Sequence, residues 1–322
     1  MRFLPTDEQV AFAEAIDDIV EAHGGSEIAQ RWAADDDEAG RALWAQFAEL
    51  GLTGLRVPEE AGGFGGSASD LAVVFERLGY HGVPGPYIES IAFLPALVDA
   101  DTRERLVAGA IATVAVDPLA PAALDAHAAE LLFQVRSCAL HPAAVREPAG
   151  SLAPTRRLAL LDAQGEARAL EARELALAAD EAALAAAAML IGAGERLLDE
   201  AVSYAKVREQ FGRPVGEFQA LKHQLADVRV ALTFARPLVW NAAIALGMDE
   251  GERAVSAAKI AASDAAALAA RVALQVHGAI GYTSEHSLRI WLGLAHALPA
   301  VWGTRAFHRA RIARSILPGR AA

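Results

Sequence analysis

The chain has 322 residues, a length that allows about two domains and a large buried core. Hydrophobic residues make up 54% and charged residues 22%, a globular composition that excludes intrinsic disorder. Twenty-nine basic against forty-one acidic side chains give a net charge of −12, which argues against generic nucleic-acid binding.

In chain order, residues 1–99 read as helical. Thr6 and Asp7 can cap a first helix with Val10, Ala13, Ile16 and Val20 among its apolar positions. Leu43, Phe47 and Leu50 mark a second, stopped by Gly51. A loop rich in glycine, 58–66, precedes a third, opened by Ser69 or Asp70 and carrying Leu71, Val74, Phe75 and Leu78. Residues 100–170 change character. Five prolines punctuate them (118, 121, 142, 148 and 154), and the short apolar runs Ile111–Val116, Leu131–Val135 and Leu158–Leu161 read as strands of a small β-rich part. From 171 to 322 the chain is helical again. A long helix is expected from an Asp180 cap to about Gln210, then others over 218–247, about 252–276, and beyond Tyr282 with an interruption at 299–303. Four helices with short connections predict an antiparallel bundle, apolar on enough faces to require subunit contacts. Its last segment carries Arg305, Arg309, Arg311, Arg314 and Arg320, read as a solvated face or a subunit contact.

Cys138 stands alone, which excludes an internal disulfide, and no cluster has the spacing of a structural zinc site. The longest apolar run, Ala182–Gly194, is shorter than the roughly 20 residues of a membrane-spanning helix. Met1–Val10 lacks an export-signal pattern, so a cytoplasmic location is expected.

Four stretches carry chemistry. WAQFAELGLTGLRVPEEAGGFGG spans 44–66 and is followed by Asp70 and FERLG. YAKVREQFGRPVGEFQ spans 204–219, with His223 and LAD beyond it. QVHGAIGYTSE spans 275–285, and Gly303-Thr304 precedes the last basic helix. In the second stretch, the Arg208 guanidinium offers a fork of donors suited to a pyrophosphate; the alternative is a pair with Glu209 or the acidic surface, and a core position for Phe211. In the third, glycine lets backbone approach a ligand closely; the alternative is an ordinary C-cap turn, with His277 as a packing residue.

In order and spacing these stretches resemble the acyl-CoA dehydrogenase family. The resemblance implies a mainly α fold: an N-terminal helical domain (1–99), a small reduced β middle domain (100–170) and a C-terminal four-helix bundle (171–322). It implies FAD, a glutamate that takes the α-proton of an acyl-CoA thioester while the β-hydride passes to the flavin, and a two-electron acceptor. It also implies that Arg208, Gln210, Phe211 and Gln219, with Gln275, Val276, Gly278, Ala279 and Thr304, face the FAD, the first two groups reaching a dinucleotide held mainly by a neighbouring subunit. Ala279 replaces a usual glycine.

The base is missing from both places where the family carries it. Trp302 stands directly before the Gly-Thr pair, and an indole N–H only donates. At the alternative place near the start of the long helix an ungapped count gives Ala182; Glu181 and Asp180 adjoin it, but one residue is about 100° around a helix. Glu181 is read there as a helix-start charge. The barrel's Thr-Glu-Pro and Gly-Ser-Asp segments are not found, and Gly293-Leu294 stand where an Arg-Asp pair is usual. General-base catalysis supplies about 10²–10⁴ in rate, so a lone chain is expected to be nearly inactive. The expectation is a non-catalytic subunit of an α2β2 heterotetramer. A full-length acyl-CoA dehydrogenase subunit would supply the glutamate, as in the actinobacterial enzymes acting on steroid side-chain CoA thioesters. The alternatives are a self-sufficient enzyme using Glu181, and a non-enzymatic scaffold.

Overall fold

The computed structural model describes residues 3–283 and 286–317; Glu285 and Arg320 lie outside them. Helix α1 (Asp7–Ala22) starts in a capping box, in which Thr6 Oγ1 accepts from the Gln9 N–H and the Gln9 side chain accepts from the Thr6 N–H. After α2 (Ser26–Ala33), α3 (Glu38–Glu49) buries Leu43, Trp44 and Phe47, and Gly51 follows it in the left-handed region. Helix α4 (Ala68–His81) opens at Ser67, not at Ser69 or Asp70. Asp70 is the third helical residue, and its carboxylate accepts from the Ser67 N–H at 2.7 Å. A π-helical turn (Ile88–Phe93) and α5 (Ala100–Val107) complete this part.

The middle of the chain forms a small sheet in the order β1 (Ala112–Val116), β3 (Leu131–Arg136), β4 (Ala139–Ala149), β5 (Leu158–Ala163), β2 (Ala123–Leu124), with β6 (Arg168–Ala169) against β4. The three apolar runs are strands. The eleven-residue β4 is not legible beforehand, because it is rich in alanine and carries Pro142 and Pro148, which argue against a central strand; a bulge at Val145/Glu147 interrupts its ladder. Asp125, in the left-handed region at φ 48 and fully buried, ties β2 to the β4–β5 connection: its Oδ1 accepts from the Arg157 N–H at 3.0 Å, while Oδ2 has no partner among the described residues. Burial pushes its carboxyl up to about 7. A carboxyl raised on folding binds more protons in the native than in the unfolded state between about pH 4 and 7, so its contribution to stability falls as pH rises through that window. Asp125→Asn removes the buried charge and suits the left-handed backbone. It is expected to raise the melting temperature at pH 8 by several degrees and to flatten its pH dependence between 5 and 8.

Helix α6 (Ala172–Val207) runs for 36 residues, about 54 Å. It begins at Ala172, well before the expected Asp180 cap; Asp180 lies in the third turn, where Arg311 holds it. By length and composition α6 could cross a membrane, but residues 182–194 are buried inside this fold, against α4, α7 (Gln219–Ala245), α8 (Gly251–His277) and α9 (Leu288–Ala297). The apolar faces of α6 are thus consumed within the chain rather than by subunit contacts. The bundle has three long helices closed by the shorter α9 and by α10 (Arg305–Ile316). At the crossing of α4 and α6, Gly79 and Gly192 bring the two backbones into contact. Arg236 of α7 spans the same seam, reaching Glu76 Oε1 at 2.9 Å and Glu195 Oε1 at 2.8 Å.

Candidate functional site

The bundle's topology puts two of the motifs at one end. Because α6 and α8 both run toward it, the hairpin β7 (Glu209–Gln210) and β8 (Arg213–Pro214) after α6 lies beside the glycine turn after α8. The Tyr204 and His277 rings stack with centroids 4.4 Å apart. Arg208 leaves the helix in extended backbone, is exposed, and makes no ion pair among the described residues, so it is not spent on Glu209. Phe211 is 91% exposed and in the left-handed region at φ 53, so it is not a core residue. Gln210, Gln219, Gln275, Gly278 and Ala279 are exposed and Val276 is half-buried. Gln275 also lines a groove of about 420 Å³ with Gln224, Asp227 and Arg271, between α7 and α8. His277 is a packing residue with a polar edge left over. Its Nδ1 donates to the Ala273 carbonyl at 2.8 Å, burial lowers its pKa, and its Nε2 is buried without a partner among the described residues. Thr304 is not brought to this end. Its hydroxyl accepts from the Phe307 N–H as the cap of α10, and its neighbour Gly303 meets Lys259, 18 residues or about 27 Å up α8 from His277.

Trp302 stands where α10, α8 and the sheet meet. It is 1% exposed, its ring lies 4.7 Å from that of Phe93, and its backbone N–H donates to Leu119 O at 2.7 Å. Beneath it the π-helical turn buries Glu89, and the β4–β5 connection inserts Arg156; sequence reasoning did not single out either residue. The two attract electrostatically without closing an ion pair, and burial pushes Glu89 up and Arg156 down. The indole N–H lies near enough to Glu89 to oppose that rise, but neither it nor Glu89 Oε2 has a hydrogen-bond partner among the described residues. Beside Trp302 runs a groove of about 890 Å³, lined by residues that include Asp117, Gln134, Arg136, Arg146 and Phe307; a separate hollow of about 310 Å³ shares Leu119, Leu175 and Phe307 with it and is lined by Trp302 as well.

Both carboxylates near the alternative base position are spoken for. Glu181 lies in the third turn of α6, not at the helix start, so it does not complement the helix dipole. Its oxygens accept from Arg56 Nε at 3.1 Å and Nη2 at 2.7 Å. Asp180 is held by Arg311 at 2.6 and 3.0 Å, and Arg311 also reaches Glu252 at 2.8 Å. Arg305 pairs with Asp264, so two members of the basic run make contacts within the chain. Glu181→Gln strands a half-buried guanidinium. It is expected to cost about 2 kcal/mol, read as a fall of a few degrees in melting temperature, and to leave flavin binding unchanged.

The profile of the acyl-CoA dehydrogenase N-terminal domain matches residues 6–100 and that of the C-terminal domain residues 175–317. The chain is 34% identical over 306 residues to acyl-CoA dehydrogenase IpdE2 of Mycobacterium tuberculosis, covering 91% of this chain and 92% of that protein. It is 33% identical to IpdE2 of Mycolicibacterium smegmatis, over 92% of this chain and 95% of that one. A chain of the ChsE4-ChsE5 complex from Mycobacterium tuberculosis superposes with a TM-score of 0.83 at 22% identity, over 100% of both chains. Butyryl-CoA dehydrogenase from Megasphaera elsdenii superposes with 0.81 at 21% identity, over 98% of this chain and 100% of that one. The chain belongs to the acyl-CoA dehydrogenase family, whose members are flavin-dependent oxidoreductases.

The residues at the bundle end fit the dinucleotide half of FAD. An exposed guanidinium free for a phosphate, an exposed aromatic ring and a buried acceptor with no partner are what a ligand carrying phosphates, a base and ribose hydroxyls can use. The surroundings of Trp302 do not fit the reacting half: the indole is 1% exposed and packs on Phe93, and the carboxylate beside it, Glu89, is buried.

Proposed function

We propose that this chain is the smaller subunit, lacking the base, of an α2β2 acyl-CoA dehydrogenase that introduces an α,β double bond into an acyl-CoA thioester. The observation that carries the reading is the indole of Trp302, buried to 1% exposure where the family's base stands. The full-length partner provides the glutamate for the α-proton and the acyl pocket. When bound, FAD would supply the two-electron acceptor for the β-hydride and a route to an external acceptor. This chain's part is binding: Arg208 holds a phosphate by its fork of donors, while Gln210, Phe211, Gln219 and the 275–279 turn cover the adenosine end. The neutral His277 offers its Nε2 lone pair only to a donor, such as a hydroxyl. Thr304, at the other end of α8, would serve a different part of the cofactor from Arg208.

A steroid side-chain CoA thioester is the substrate class we favour. Its support is the resemblance in fold to a chain of the Tcur3481-Tcur3483 steroid ACAD, with a TM-score of 0.76 at 24% identity, together with an assembly that gives up half its acyl pockets and so leaves room for a bulky ring system. The ion pairs on Glu181 and Asp180 count against the self-sufficient alternative.

The test is expression alone and together with a full-length family member that carries the glutamate. The chain alone is expected to be colourless and inactive, and the complex yellow and active. Flavin-loaded, active enzyme from this chain alone would reject the reading.

A further inference from the structure

The turn that carries Trp302 is held by a polar cage that the helix ladders do not require. Lys259 of α8 is 1% exposed and makes no ion pair among the described residues. Its ammonium has three donors, and they meet three carbonyls of one turn: Leu298 O at 2.9 Å, Val301 O at 3.0 Å and Gly303 O at 3.4 Å. Burial pulls its pKa down to about 7, while the three carbonyl dipoles favour the charged form. The fourth carbonyl, Trp302 O, lies 3.1 Å from His308 Nε2, which must carry the proton because a carbonyl only accepts. His308 Nδ1 then accepts from Ser256 Oγ at 3.1 Å. Position 303 admits only glycine: φ is 96, and a Cβ would stand 2.5 Å from His308 Nε2.

Together these contacts decide where the indole goes. The carbonyls of 298, 301, 302 and 303 all turn toward α8 and α10, and the Trp302 N–H turns toward Leu119. The Trp302 side chain packs on Phe93. Trp302 has φ 55, a backbone state that a bulky residue keeps only when its surroundings impose it.

We propose that Lys259 and His308 are positioning residues, whose hydrogen bonds to the 298–303 turn hold the Trp302 indole inward, packed on Phe93 over the buried Glu89. The inference stands apart from flavin sharing, because the chain alone suffices to test it. The protein has five tryptophans, so the Trp302 emission is taken as the difference between each protein and the same protein carrying Trp302→Phe. In the parent this component is expected to be blue-shifted and insensitive to acrylamide. In Lys259→Met, and separately in His308→Leu, its quenching constant is expected to rise several-fold while the far-UV circular dichroism stays native. A merely structural role would lower the melting temperature without exposing the indole in the native state. A folded Lys259→Met or His308→Leu with Trp302 as shielded as in the parent overturns the proposal. Should Lys259→Met not fold, His308→Leu, which leaves the ammonium and its three carbonyls in place, decides by the same readout.

Discussion

Arg208→Ala is expected to strip the flavin from the heteromeric complex without weakening the chain. A hydrogen bond between a guanidinium and a phosphate contributes about 1.5–3 kcal/mol, which corresponds to roughly 10- to 100-fold in affinity. The side chain is exposed and makes no ion pair among the described residues, so its removal leaves no buried partner stranded. Arg208→Lys keeps the charge but loses the planar fork, and an intermediate loss is expected. The measurements are the FAD-to-protein ratio after gel filtration, the FAD dissociation constant, and the melting temperature of the chain by itself. Unchanged flavin content in Arg208→Ala would reject the dinucleotide role of the hairpin and favour the scaffold alternative.

Gly192→Ala is expected to give the largest loss of stability of any single methyl group added to this fold. A Cβ at 192 would stand 1.9 Å from Glu76 O and 2.6 Å from Tyr80 N, and one at Gly79 would stand 2.1 Å from Met189 O. These atoms are helix backbone and cannot rotate aside as a side chain would. The gain in helix propensity, about 1 kcal/mol, is outweighed by overpacking of about 3 kcal/mol or more, since α4 and α6 must separate along their whole contact. A fall in melting temperature of about 10 °C, or failure to accumulate as soluble protein, is the expected result. Gly150→Ala is the control: no atom lies within 4 Å of the added carbon, and the change should stay within about 0.5 kcal/mol. Equal melting temperatures for the two variants would show that the seam is not held at this crossing.

Much of the molecule is local and therefore readable before folding is considered. Apolar spacing and caps locate α1, α3, α4 and the bundle helices, and short apolar runs locate β1, β3 and β5. Order and spacing of the motifs bring out the family and single out the indole at 302. Alanine erodes this kind of reading. It marks neither period strongly, so α6 starts earlier than its spacing predicts and β4 leaves no period to read.

What the sequence determined by itself was the identity of each chemical group and its place along the chain: an arginine and a phenylalanine after the long helix, a glycine turn, and no carboxylate before Gly303. Only the tertiary structure decided which groups are spent on one another. Glu181 could serve as a base or as a helix charge until Arg56, 125 residues away, was found holding it. Trp302 is a mere substitution until the fold shows it buried on Phe93, in a turn whose carbonyls meet Lys259 and His308. The physical reason is that side-chain spacing reports a residue's neighbours on its own helix or strand. Burial and hydrogen-bond satisfaction depend on elements far apart in sequence that meet only when the core closes.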